Sequence, residues 1–245
     1  MGNFFHIAFY QPLFNALVGI YNVVPGQDLG VAIIVLTVII RTLLWPISKS
    51  AIVAQKNMQE LQPKIDAVKK EFKDDKQEQT QAIMALYKKE KINPLGSCLP
   101  LLIQLPIFLG LYWVLRDGIA SENLDVLYPF IQNPGTINPI AFGFLDLGTR
   151  NIVIVLAAGA AQYWQASQLV TKQPEVKSDG SKDESMAAVM NKQMKYTMPL
   201  ITVVIGVGLP AGLAFYWFLT TLVYAMQQHF LFKKRSKEVE IIPAE

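Results

Sequence analysis

Apolar runs divide this chain. Residues 29–47 read LGVAIIVLTVIIRTLLWPI, a stretch of 19 interrupted by the single charge of Arg41. Three further runs carry no Asp, Glu, Lys or Arg: 95–115, 151–170 and 196–232. A bilayer-crossing helix needs about 20 such residues. The last run has 37 residues. As one helix it would extend about 56 Å at 1.5 Å per residue, well beyond a hydrocarbon core of about 30 Å. The turn-forming sequence GVGLPAG at 206–212 divides it into a short and a long helix. The pattern predicts five spans, at 29–47, 94–116, 150–170, 196–209 and 210–232.

Between the spans the pattern changes. In 48–93, apolar Met58, Leu61, Ile65, Val68 and Phe72 alternate at spacings of 3 and 4 among Lys and acidic residues, a coiled-coil-like stripe. A polar break at 73–76 precedes a second stripe with Ile83, Leu86 and Tyr87. This predicts a helical hairpin projecting from the first span; the alternative is a solvated connector. In 1–28, Phe5, Phe9, Leu13, Ala16, Leu17 and Ile20 share helical spacing, and Pro25-Gly26 ends the segment. We read it as an amphipathic helix at the interface, because Pro12 interrupts it as a sixth span. Asn93-Pro94 suits the start of the second span as N-cap and first helical residue. Segment 117–149 reads as an irregular loop with short helical pieces. Segment 171–195 contains a polar linker, and 233–245 is a short basic tail.

Charge then orients the pattern. Of 22 Lys and Arg, 10 lie in 48–93, 5 in 171–195 and 4 beyond 232; 1–28 and 117–148 have none. The positive-inside rule places the N-terminus outside and the hairpin, 171–195 and the tail in the cytoplasm. An odd number of spans agrees. The expected fold is an all-α polytopic membrane protein: five transmembrane helices, N-out/C-in, a cytoplasmic helical hairpin and an N-terminal interfacial helix. The N-terminus shows neither a basic stretch with a signal-cleavage site nor a myristoylation pattern, so no processed leader is expected. The one cysteine, Cys98, reads as a small apolar residue of the second span.

The chemistry-bearing residues are sparse. His6 and His229 are the only histidines, and no metal motif, nucleotide loop or intramembrane carboxylate pair is present. No cofactor and no enzymatic activity are expected. What remains is one cation among neutral polar groups. An Arg near a helix centre costs about 2.5–3.5 kcal/mol on insertion scales, and its guanidinium cannot deprotonate. Arg41 stands about two turns, on the order of 12 Å, from the basic boundary at Lys49. Simple snorkelling covers only part of that distance, which favours a water-accessible cavity. Thr37, four residues earlier, shares its face. Gln104 lies in the second span, Gln162, Gln165 and Gln168 in the third, and Thr220, Thr221, Gln227 and Gln228 in the fifth. Taken singly, each suits an interhelical hydrogen bond.

Residues 93–112, NPLGSCLPLLIQLPIFLGLY, closely resemble the signature of the YidC membrane protein insertase family. LQPKIDAVKKEFKDDKQ in the hairpin and GLAFYW at 212–217 resemble it too, and the match runs in order over 29–232. The resemblance implies a bacterial multi-pass plasma-membrane protein with a hydrophilic groove, open to cytoplasm and lipid but closed outward. It implies insertion and folding of client transmembrane segments without nucleotide hydrolysis. Arg41 would be the groove arginine with Thr37 beside it, and Phe108, Tyr216 and Trp217 would contact a client helix. Gln104 and Gln162 are expected to line the groove. Implied partners are nascent membrane-protein clients, the Sec translocon, the lipid bilayer, and the ribosome and signal recognition particle through the hairpin, loop and tail. The chain lacks the extra N-terminal span and large external domain of Gram-negative members and the lipoprotein cysteine of many Gram-positive ones. That suggests a near-minimal core whose short tail binds ribosomes weakly. Two alternatives stay open: an assembly chaperone without insertase activity, and a small transporter or channel with Arg41 on an anion path.

Overall fold

The computed structural model describes residues 2–73, 75–93, 96, 99–118, 126–169 and 193–240, and these are mostly helical. Helix α1 (Gln11–Val23) is entered through a helical turn at Asn3–Phe5 and a π-helical turn at His6–Tyr10. Pro12 follows directly on the π-helical turn, and the helical run continues through it. After a 3-10 turn at Pro25–Gln27 come α2 (Leu29–Leu43), α3 (Trp45–Glu71) and α4 (Lys76–Lys89). Then follow α5 (Leu99–Trp113), a π-helical turn (Val114–Gly118) and a small hairpin of β1 (Ile140–Ala141) and β2 (Leu145–Asp146). Helices α6 (Ile152–Leu169), α7 (Met198–Gly206) and α8 (Ala211–Glu240) complete the fold. Cys98, Pro94 and the polar linker at 173–186 lie outside the described residues.

The first apolar run is not one helix. It breaks at Leu44, and α2 and α3 meet at 67°. Pro46 is the cause: it has no N–H to offer the Thr42 carbonyl, and its ring disfavours helical continuation. The stretch read as a straight span at 29–47 is therefore a 15-residue helix, about 22 Å long, joined to the base of the hairpin. Among the described residues, no single helix is long and apolar enough to cross a bilayer; only α2 and α3 taken together, across their bend, reach that length and composition. Shorter apolar helices occupy Leu102–Arg116 and Ile152–Ser167.

The interface reading of 1–28 accounts for only one face of α1. Its other face buries Phe14, Leu17, Val18 and Tyr21 in the core, beside Leu29, Ile33 and Leu36 of α2 and Leu111, Val114 and Leu115 at the end of α5. Polar groups of α1 hold the 126–138 loop over this core. Asn15 donates to the Val126 carbonyl and accepts from Tyr128 N, and Tyr21 Oη accepts from Asn138 N. The described part of the loop carries the β-hairpin. Its turn at Phe142-Gly143 puts both residues at positive φ, as a tight hairpin turn demands.

Asp28 joins two levels of this structure. One carboxylate oxygen caps α2 by accepting from Val31 N, and the other accepts from Phe142 N in the hairpin. Gly30, two residues on, lies against Ala141 and the Phe142 ring, where a Cβ would stand 2.7 Å from both. Asp28→Ala removes a cap worth about 1 kcal/mol and frees the hairpin. We expect faster amide hydrogen exchange at Val31 and Phe142 together. Faster exchange at Val31 alone would show that the hairpin is held by packing instead.

At the other end, α3 and α4 form a helical hairpin. Asp75 caps α4 through Gln77 N and Glu78 N, and Gln79 donates to the carbonyls of Lys69 and Phe72 across the turn. Leu61 and Ile65 are buried. Lys64 pairs with Glu90 at 2.6 Å, and this hydrogen bond holds the Glu90 carboxyl below the usual range.

Candidate functional site

The site is built on one face of α8. Tyr216, Thr220, Tyr224 and Gln228 recur every four residues, so their side chains stack along a single stripe, and all four are buried. Other helices bring polar groups to this stripe. Gln104 of α5 donates from Nε2 to Tyr216 Oη at 2.7 Å. Arg41 of α2 donates from Nε to Thr220 Oγ1 and from Nη2 to the Thr220 carbonyl, each at 2.7 Å. Its guanidinium also lies 5.4 Å from the Tyr224 ring centroid, a cation–π contact. Gln55 of α3 faces the Tyr224 hydroxyl.

This is a neutral cradle for a permanent cation. Arg41 is 7% exposed, so most of its surface lies against protein groups. The side chain turns sideways to α8, where a hydroxyl, a carbonyl and an aromatic face replace hydration. Among the described residues no carboxylate pairs with it. Bonds from a charged donor contribute about 1.5–3 kcal/mol each, enough to offset much of the insertion cost.

The remaining residues expected at the site divide into three groups. Phe108 and Trp217 meet edge to face, with ring centroids 5.1 Å apart, one helical turn from the Gln104–Tyr216 bond on α5. Thr37 is buried, but its hydroxyl donates to the Ile33 carbonyl of its own helix. It lines the interior without engaging Arg41. Gln162 is half-buried on α6; of that helix's three glutamines, Gln168 reaches α8, donating to the Ala225 carbonyl at 3.1 Å.

Tyr224 is the contributor that the sequence reading missed, although its signal was present. Polar residues at 216, 220, 224 and 228 mark one face of an otherwise apolar helix. Farther along that stripe, the buried Gln228 amide has neither its oxygen nor its nitrogen paired among the described residues. The Oε1 of Gln227 and the Oδ1 of Asn57 are likewise unpaired there. Buried polar atoms are otherwise nearly always paired. The polar interior therefore continues from Arg41 toward the α3–α4 hairpin. Among the described residues no three His, Cys, Asp or Glu side chains cluster as metal ligands.

The architecture thus defines a class: a helical protein with broad exposed apolar faces and a buried polar seam around one arginine. The chain belongs to the 60Kd inner membrane protein family, whose pattern it matches over residues 20–238. It is 32% identical over 230 residues to a protein of Tolumonas auensis named membrane protein insertase YidC, covering 93% of this chain and 37% of that one. Proteins of the same name from Shewanella amazonensis and Hahella chejuensis are 35% identical over 209 residues and 34% over 226. Those matches cover 85% and 91% of this chain and 34% of each relative. The chain spans about a third of the length of these curated relatives.

Proposed function

We propose that the chain is a membrane protein insertase of the bacterial inner membrane. The observation that carries this reading is Arg41: a permanent cation, buried, held by exchangeable neutral groups. Such a charge is complementary to an acidic or polar client end on its way across the bilayer. In this reading the client's carboxylate replaces Thr220 as the partner of Arg41. The polar stripe of α8 lowers the desolvation cost of the passing segment. Phe108 and Trp217 meet its apolar span, and burial of that span in lipid drives the process. No nucleotide is required.

The topology belongs to the same reading. Five spans leave the N-terminus outside and the α3–α4 hairpin in the cytoplasm, by the lysine distribution. The short α7, 9 residues or about 14 Å, would thin the bilayer beside the site. The basic hairpin and tail face the ribosome and targeting factors, and the Sec translocon shares clients. Reconstitution tests the central claim. The purified chain alone in liposomes should insert a single-span client bearing an acidic external end, scored by protease protection. Binding without insertion would make it an assembly chaperone.

A further inference from the structure

A cavity of about 400 Å³ lies at the opposite end of the bundle from the hairpin, where α5 ends, α6 begins and α7 turns into α8. Two arginines line it, Arg116 and Arg150, with Tyr112 and the backbone near Gly148 and Gly208. Apart from Arg41, these are the only basic residues outside the lysine-rich segments and the tail. Both are positioned by the fold. The Arg116 guanidinium lies 5.6 Å from the Tyr112 ring centroid and 5.3 Å from that of Trp113, and its Nη1 donates to Tyr112 Oη at 3.0 Å. Arg150 is fixed from both sides. Before it, the Thr149 and Leu147 carbonyls accept from Ala211 N and Gly212 N, clasping the loop to the start of α8. After it, Asn151 caps α6 through Val153 N and Ile154 N.

We propose that this pocket binds the phosphate of an anionic phospholipid. Planar guanidinium forks suit phosphate oxygens, and the α6 N-terminus adds positive potential. Asp146, which precedes the lining segment, accepts from Gly148 N, and among the described residues Arg150 forms no ion pair. A lipid fits better than a free anion because the rim is apolar and exposed. Ile152, Val153 and Leu156 flank it on α6, with Val204, Ile205 and Val207 along α7 and its turn. Acyl chains lying on these residues would hold the headgroup at the mouth. The inference rests on the membrane reading, but not on insertase activity.

Native mass spectrometry of the full chain in detergent tests it without any client. Phosphatidylglycerol, phosphatidylcholine and glycerol 3-phosphate are added in turn at equal concentration. The unaltered chain should retain phosphatidylglycerol in preference to phosphatidylcholine. Arg150→Gln should weaken retention about tenfold, the loss of one charge-assisted contact. Arg116→Gln/Arg150→Gln should abolish the preference, and the corresponding Lys pair should recover part of it. Equal retention by the unaltered chain and the double Gln variant would overturn the site. Displacement of lipid by glycerol 3-phosphate as effectively as by phosphatidylglycerol would overturn its lipid assignment. Neither outcome bears on liposome insertion, so the two readings fail separately.

Discussion

Arg41→Ala should lower insertion of a client with an acidic translocated end by about tenfold or more, and Arg41→Glu should abolish it. Opposite charges ~4 Å apart attract by about 4 kcal/mol at an effective dielectric near 20. The client must first displace the two Thr220 hydrogen bonds, which return part of that energy. A net gain of about 1.4 kcal/mol already corresponds to tenfold. Arg41→Lys should keep much of the activity, because a point charge suffices for attraction even without the guanidinium fork. Stability should change less than activity. Arg41→Ala removes the insertion cost of the cation but also its two bonds to Thr220, and these opposing terms should leave the melting point within a few degrees of the unaltered protein. Liposome insertion and a fluorescence melt in detergent check both halves. Full insertion by the Glu variant would remove the electrostatic step from the mechanism. A lost activity accompanied by a collapsed melting point would reduce Arg41 to a structural residue.

The second large effect is expected where α6 meets α7. A Cβ at Gly159 would stand 2.6 Å from Val203 Cγ2, and one at Gly206 would stand 2.7 Å from Val155 Cγ1. Two small residues thus let the short α7 lie close against α6, as small residues do where helices pack tightly in membranes. Gly159→Ala should cost about 1–3 kcal/mol, the usual penalty for overpacking. The clashing atom belongs to Val203, so Val203→Ala in the same chain should restore most of the loss. The melting point of the single and double variants decides this. A single variant as stable as the parent would mean the two helices separate freely at this seam.

Much of the helix inventory was readable in one dimension. The 3-and-4 spacing of Met58, Leu61, Ile65, Val68 and Phe72, with a polar break at 73–76, is a local signal for a helical hairpin, and α3 and α4 turn there. The bend at Leu44 was equally local, since Pro46 stands in plain view, but the apolar run hides it. Hydropathy records what a side chain prefers, whereas a kink comes from a missing backbone N–H. The partners of Arg41 were not legible. The spans offered it neutral polar groups and no carboxylate, and its distance from Lys49 pointed to water, not to a particular side chain. That Thr220 meets the cation depends on a contact across 179 positions.

The sequence by itself determined the number and length of apolar runs, the asymmetry of basic charge, and the presence of one unpaired cation among them. Each is a property of neighbours along the chain, set by side-chain solubility and helical period. Only the tertiary structure decided that α1 belongs to the core, that Thr37 serves its own helix, and that Tyr224 lies beside Arg41. Those outcomes depend on which surfaces exclude one another's lipid or water, and such pairings carry no periodic signal.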